Sequence, residues 1–123
     1  WFGCACGPSN LCRFIPSVPV YLYGVKDNNI YVNLFAGNTS TIKVNGKDVV
    51  LEETTEYPWN GDIKIAVKKS GVKNANLLVR IPGWVRNQVV PSDLYKYSDA
   101  EKPAYTVTVN GKAVEADLDA NTG

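Results

Sequence analysis

The sequence predicts a mainly β protein, an antiparallel β-sandwich preceded by a short helical segment. Three observations carry that prediction. Aromatic and β-branched residues recur with period two from Tyr21 onward, the spacing of strands with one buried face. Turn compositions punctuate these runs, above all Asn45-Gly46 and Asn110-Gly111, the pairs that suit a two-residue type I′ hairpin. Before Tyr21 the period differs: Leu11, Phe14, Ile15 and Val18 fall at three- and four-residue steps, as on a helix.

Taken in chain order, Pro8 or Ser9 starts that helix, since proline and serine suit a first turn. Pro16 and Pro19 each remove an amide donor, so one or two kinked turns are expected, with an exit near Val20. Strands follow at Tyr21–Val25 and Ile30–Phe35, separated by Asp27-Asn28-Asn29. A hairpin pairs Thr41–Val44 with a strand from Lys47 that continues to Tyr57 and stops at Pro58-Trp59-Asn60-Gly61. Asp62–Val67 alternates cleanly and Leu77–Ile81 less strictly, ending at Pro82-Gly83. Residues 86–103 are polar and read as a long surface excursion. A last hairpin joins Tyr105–Val109 to Ala113-Val114.

Composition narrows the function. The chain of 123 residues holds 13 basic and 12 acidic side chains, for a formal charge of +1, with no block of one sign. That is no footprint for nucleic acid or an anionic membrane. No apolar run reaches the roughly 18 residues of a membrane helix. The absence of methionine and the abrupt ends lead us to expect a fragment of a longer protein.

Chemistry concentrates at one end. All three cysteines, Cys4, Cys6 and Cys12, lie in the first twelve residues, and no histidine is present. Cys12 shares its stretch with Phe14 and Ile15 and is expected in the core. Cys4 and Cys6 flank an alanine just before the helix, where packing gives no reason for two thiols. They are too close in sequence for an easy mutual disulfide, and a helix N-terminus favours thiolate. A zinc site wants four ligands, so three thiols without histidine leave it incomplete. Glu52, Glu53 and Glu56 alternate with threonines and are expected on a solvated face rather than as catalytic carboxylates. Trp59, Trp84, Tyr31 and Tyr57 lie near Pro or Gly turns or on strands. Packing at the ends of the sandwich is expected for them over stacking on sugars.

Several runs together resemble a known family. Cys6-Gly7-Pro8-Ser9-Asn10-Leu11, Arg13-Phe14-Ile15, Tyr21-Leu22-Tyr23, Tyr31-Val32-Asn33-Leu34, Tyr57-Pro58-Trp59-Asn60-Gly61 and Arg80-Ile81-Pro82-Gly83-Trp84 look like the β-L-arabinofuranosidases of glycoside hydrolase family 127 and its relatives. The resemblance runs in order along essentially the whole chain. It implies that residues 1–20 close an (α/α)6 catalytic barrel and that residues 21–123 form the following β-sandwich, incomplete at its C-terminus. It also implies a retaining glycosidase acting on arabinose-containing plant glycans, with a zinc-bound cysteine as nucleophile.

The family motif is an adjacent cysteine pair followed by proline. By the resemblance Cys6 is the nucleophile and a zinc ligand, while the second cysteine of the pair falls on Gly7, which cannot ligate. Three readings stand at this point. Cys4 substitutes as ligand, the chain comes from a non-catalytic relative, or this sequence carries a change at position 7. The remaining ligands and the acid/base lie upstream in the family. Zinc is therefore expected in the parent and not in this chain alone, and the isolated chain should be inactive. The residues do not carry a compartment; the expected polysaccharide substrate is compatible with a periplasmic or secreted parent. Two other classes compete: a carbohydrate-binding or scaffolding sandwich without catalysis, and a stand-alone zinc-binding interaction module. An exposed aromatic row points to binding, whereas buried Trp59 and Trp84 point to scaffolding.

Overall fold

A computed structural model describes residues 3–4, 6–90, 92–99 and 104–119. The chain divides into two compact units, Trp1–Val79 and Arg80–Gly123. The first begins with helix α1 (Cys6–Ser17), followed by a 3-10 turn at Val18–Tyr21. The helix is longer than the one or two turns expected. It starts ahead of Pro8 because the first amides of a helix have no intrahelical acceptor, so a proline in that turn sacrifices no bond. Pro16 is tolerated in the last turn, and Pro19 lies in the tighter 3-10 segment that follows.

Six strands complete the first unit: β1 (Tyr23–Lys26), β2 (Asn29–Val32), β3 (Asn38–Val44), β4 (Lys47–Thr55), β5 (Ile63–Ser70) and β6 (Asn76–Val79). They form two three-stranded sheets, ordered β1-β2-β6 and β3-β4-β5. Pairing is antiparallel except for β6, which runs parallel to β2 after the chain has crossed to the other sheet. The β3–β4 hairpin turns on Asn45 (φ 50°) and Gly46 (φ 76°), the left-handed pair of a type I′ turn. Gly71 closes the far end of β5, its amide donating to the Asp48 carbonyl at 2.8 Å. A Cβ there would stand 3.0 Å from that same oxygen, a tight contact that glycine avoids.

The core lies between the sheets. Ile30 from the first meets Ile42, Val44, Val49 and Leu51 from the second, with Tyr23 and Val72 packed against them. Each fully buried aliphatic side chain here is worth about 1.5–3 kcal/mol. The exposed lysines of β5, Lys64, Lys68 and Lys69, sit on an edge strand, where charge discourages pairing with another chain. In the second unit a 3-10 turn at Gly83–Arg86 precedes the hairpin of β7 (Val107–Val109) and β8 (Lys112–Val114). Its turn repeats the left-handed pair, with Asn110 at φ 50° and Gly111 at φ 78°.

One carboxylate departs from expectation. Glu53 is not on the solvated face but is 2% exposed, because it continues the inward phase of β4 after Val49 and Leu51. Its burial is compensated by donors. The Tyr23 hydroxyl reaches Oε2 at 3.1 Å and the Ala36 amide reaches Oε1 at 3.2 Å. Asn38, directly opposite Glu53 in the β3–β4 register, donates from Nδ2 to the Tyr23 oxygen at 3.0 Å. The network thus ties β1 of one sheet to β3 and β4 of the other. Glu52 and Glu56 behave as expected: Glu52 is partly exposed beside Lys68 at 3.4 Å, and Glu56 is exposed.

Desolvation pushes the Glu53 carboxyl above its ordinary value of 4.5, against the hydrogen bonds from Tyr23, Ala36 and Asn38. The folded state therefore holds this proton more tightly than the unfolded chain does. Its contribution to stability is greatest below about pH 4.5 and is lost as pH rises through the folded value. Urea unfolding of the wild type and of Glu53→Gln across pH 4–7 checks this. The difference between them should move against the wild type as pH rises, and a flat difference would contradict it.

Candidate functional site

The cysteine segment places two of its three thiols together. The sulfurs of Cys4 and Cys6 lie 3.5 Å apart, and both residues are exposed. The Gly7 amide, and next the Cys6 thiol, hold Cys4 below the usual thiol range. This is the effect of unpaired amides at a helix start on an adjacent thiolate. Cys12 stands apart. At 3.6 residues per turn it lies about 120° around α1 from Cys6. It is also exposed, which corrects its assignment to the core. The reason is general to the helix: α1 buries no residue, and Leu11, Phe14 and Ile15 are all exposed with it.

Gly7 bears directly on the pair. A Cβ built at this position points toward Cys4, with 3.7 Å to its sulfur. Cys4 therefore brings its thiol to the side on which a cysteine at position 7 would begin. Two thiolates on one tetrahedral zinc, each at about 2.3 Å, stand roughly 3.8 Å apart. The Cys4–Cys6 spacing is close to that, so the donor set fits two corners of a zinc tetrahedron. Among the described residues no group of three or more histidine, cysteine or acidic side chains gathers to complete it.

The aromatic candidates separate. Tyr57 packs edge-on against Phe35, with ring centroids 5.7 Å apart, as expected for the end of a sandwich. Tyr31 is half-buried on β2. Trp59 is 91% exposed and Trp84 47%, which overturns the expectation that both pack into the fold. The Pro58-Trp59-Asn60-Gly61 turn explains Trp59. The Trp59 and Asn60 amides both bond back to the Glu56 carbonyl, at 2.9 and 3.3 Å, and this tight closure leaves the indole outside. A small cleft at one end of the sandwich, lined by Ile30, Leu51, Val67, Val72 and Leu77 with Lys73, contains no carboxylate, thiol or aromatic ring.

Sequence reasoning missed Glu53, although Val49, Leu51 and Glu53 share one parity in an uninterrupted strand. Trp59 lay beyond that kind of signal, since a turn's backbone bonds decide where its side chains point.

Comparison with known proteins follows the same lines. The profile described as Beta-L-arabinofuranosidase, GH127 middle domain, matches residues 29–122. A non-reducing end β-L-arabinofuranosidase of Bifidobacterium longum subsp. longum is 30% identical over 97% of this chain and 16% of its own length. The solved structure of a GH127 β-arabinofuranosidase, BT3674, superposes with a TM-score of 0.88 at 52% identity. The match covers 99% of this chain and 19% of that one. A GH127 β-L-arabinofuranosidase from Geobacillus stearothermophilus T6, Ara127N, gives 0.68 at 31% identity, over 94% of this chain and 15% of its own. The chain thus spans less than a fifth of the length of each of these relatives.

Exposure of Trp59 has a simple consequence. Trp59→Ala should change unfolding free energy by less than about 0.5 kcal/mol and lower the acrylamide-quenchable fluorescence. A loss above about 2 kcal/mol would show that the indole is packed.

Proposed function

This chain belongs to the GH127 β-L-arabinofuranosidase family through its middle domain, and on that premise we propose that it serves a longer retaining glycosidase, to which it contributes the nucleophile Cys6. The observation that carries the reading is the sulfur pair, with Cys4 3.5 Å from Cys6 and on the Gly7 side. In this reading Cys4 replaces the cysteine expected at position 7, and Cys4 and Cys6 both hold zinc. The remaining ligands and the acid/base come from the parent's catalytic barrel. The uncovered apolar side chains of α1, Leu11, Phe14 and Ile15, suit packing against that barrel.

Bound zinc would keep its thiols ionised near neutral pH. The Cys6 sulfur attacks the anomeric carbon of a terminal arabinofuranosyl unit while an acid of the parent protonates the departing oxygen. A covalent glycosyl thioether forms on Cys6, and water then releases the sugar with net retention. The residues of this chain hold and orient the nucleophile. An arabinose-containing substrate is supported by the activity named for the relatives, and its plant origin belongs to this proposal. A polysaccharide substrate would suit a parent in the periplasm or outside the cell.

One observation favours a second reading, a carbohydrate-binding role for the sandwich. Trp59 offers an exposed indole on a closed turn, the kind of apolar face on which a sugar ring stacks.

Metal analysis of the longer protein tests the first reading without relying on activity. Cys4→Ser should weaken zinc affinity beyond the ~100-fold that outer-shell changes cost. Adding Gly7→Cys to that variant should restore it. Full zinc content in Cys4→Ser would overturn the assignment of Cys4.

A further inference from the structure

We infer that Cys4 and Cys6 are a site of reversible oxidation, closing an intramolecular disulfide when a low-molecular-weight disulfide such as glutathione disulfide is in excess. The inference stands on the geometry of the metal-free pair and does not depend on the metal reading. The sulfurs are 3.5 Å apart, so closing to the roughly 2.05 Å of a disulfide takes a movement of about 1.5 Å. Successive Cα atoms are 3.8 Å apart, so the two Cα atoms lie at most about 7 Å from each other. That separation overlaps the span a disulfide bridges. Both residues are exposed, so a small oxidant reaches them. Cys12 is excluded from the ring, since it lies well around the helix from Cys6.

The chemistry balances with the oxidant named. One cysteine thiolate attacks a sulfur of glutathione disulfide, forming a mixed disulfide and expelling one glutathione thiolate. The second cysteine attacks the protein sulfur of that mixed disulfide and expels the other. Two protein thiols lose two electrons, glutathione disulfide gains them, and the two thiol protons end on the two glutathione molecules. The ring so formed has a single residue between its two cysteines and is strained. Strained, exposed disulfides are the readily reduced ones, which makes this site reversible rather than structural. A zinc-bound pair cannot close the ring until it gives up the metal, because both reactions use the same sulfurs.

Peptide mapping of the longer protein tests this. Cys12→Ser leaves Cys4 and Cys6 as the cysteines of residues 1–13. Metal-free and zinc-loaded samples are incubated with excess glutathione disulfide, quenched in acid and alkylated. The metal-free segment should be lighter by two hydrogen atoms, carry no alkyl group, and return fully to the alkylated form after dithiothreitol. Zinc loading should slow closure at least about tenfold. Closure at the same rate with and without zinc would support this inference and overturn the metal reading instead. Two alkylated thiols, or two separate glutathione adducts, would overturn it.

Discussion

The inward face of β4 is the constraint on which the rest of the first unit depends. This strand is hydrogen-bonded on both sides, to β3 and β5, and Val49, Leu51 and Glu53 project into the space between the sheets. A slip of one residue would turn all three to solvent. The two aliphatic residues set the register through burial, and Glu53 makes it specific. Its carboxylate is satisfied only where Tyr23 arrives from the facing sheet and Ala36 from the preceding loop. A buried polar network of this kind adds little net energy but is costly to leave incomplete, so it selects one arrangement of the two sheets.

Much of this was legible in the residues, for identifiable reasons. Asn45-Gly46 and Asn110-Gly111 announced their hairpins because a type I′ turn needs two left-handed residues and few sequences supply them cheaply. Period-two alternation located the strands, with ends displaced by a few residues. Glu53 escaped because chemistry was weighed ahead of phase. A glutamate is usually exposed, yet parity in a central strand outweighs that preference when donors are at hand. The early proline pointed to a later helix start than the one found. Its missing amide costs nothing in the first turn, so Pro8 sits inside a helix that begins at Cys6.

At the cysteine segment the sequence carried the elements but not their arrangement. It showed three clustered thiols, a glycine where the family motif has cysteine, and no histidine. It could not show that Cys4 turns its sulfur toward the Gly7 side, because that depends on where the chain enters the helix. Nor could it show that Cys12 is uncovered, since burial depends on what packs against α1. The family assignment joins these parts. The first unit keeps its own sandwich core, and in the proposed reading α1, with its uncovered apolar residues, is the edge that meets the rest of the longer protein.

The central claim is that Cys4 does the work of a ligand that Gly7 cannot. Zinc-edge X-ray absorption on the longer protein reads the sulfur shell directly. The account predicts a zinc–sulfur shell near 2.3 Å that loses one sulfur in Cys4→Ser and regains it when Gly7→Cys is added. An unchanged sulfur count in Cys4→Ser would contradict it.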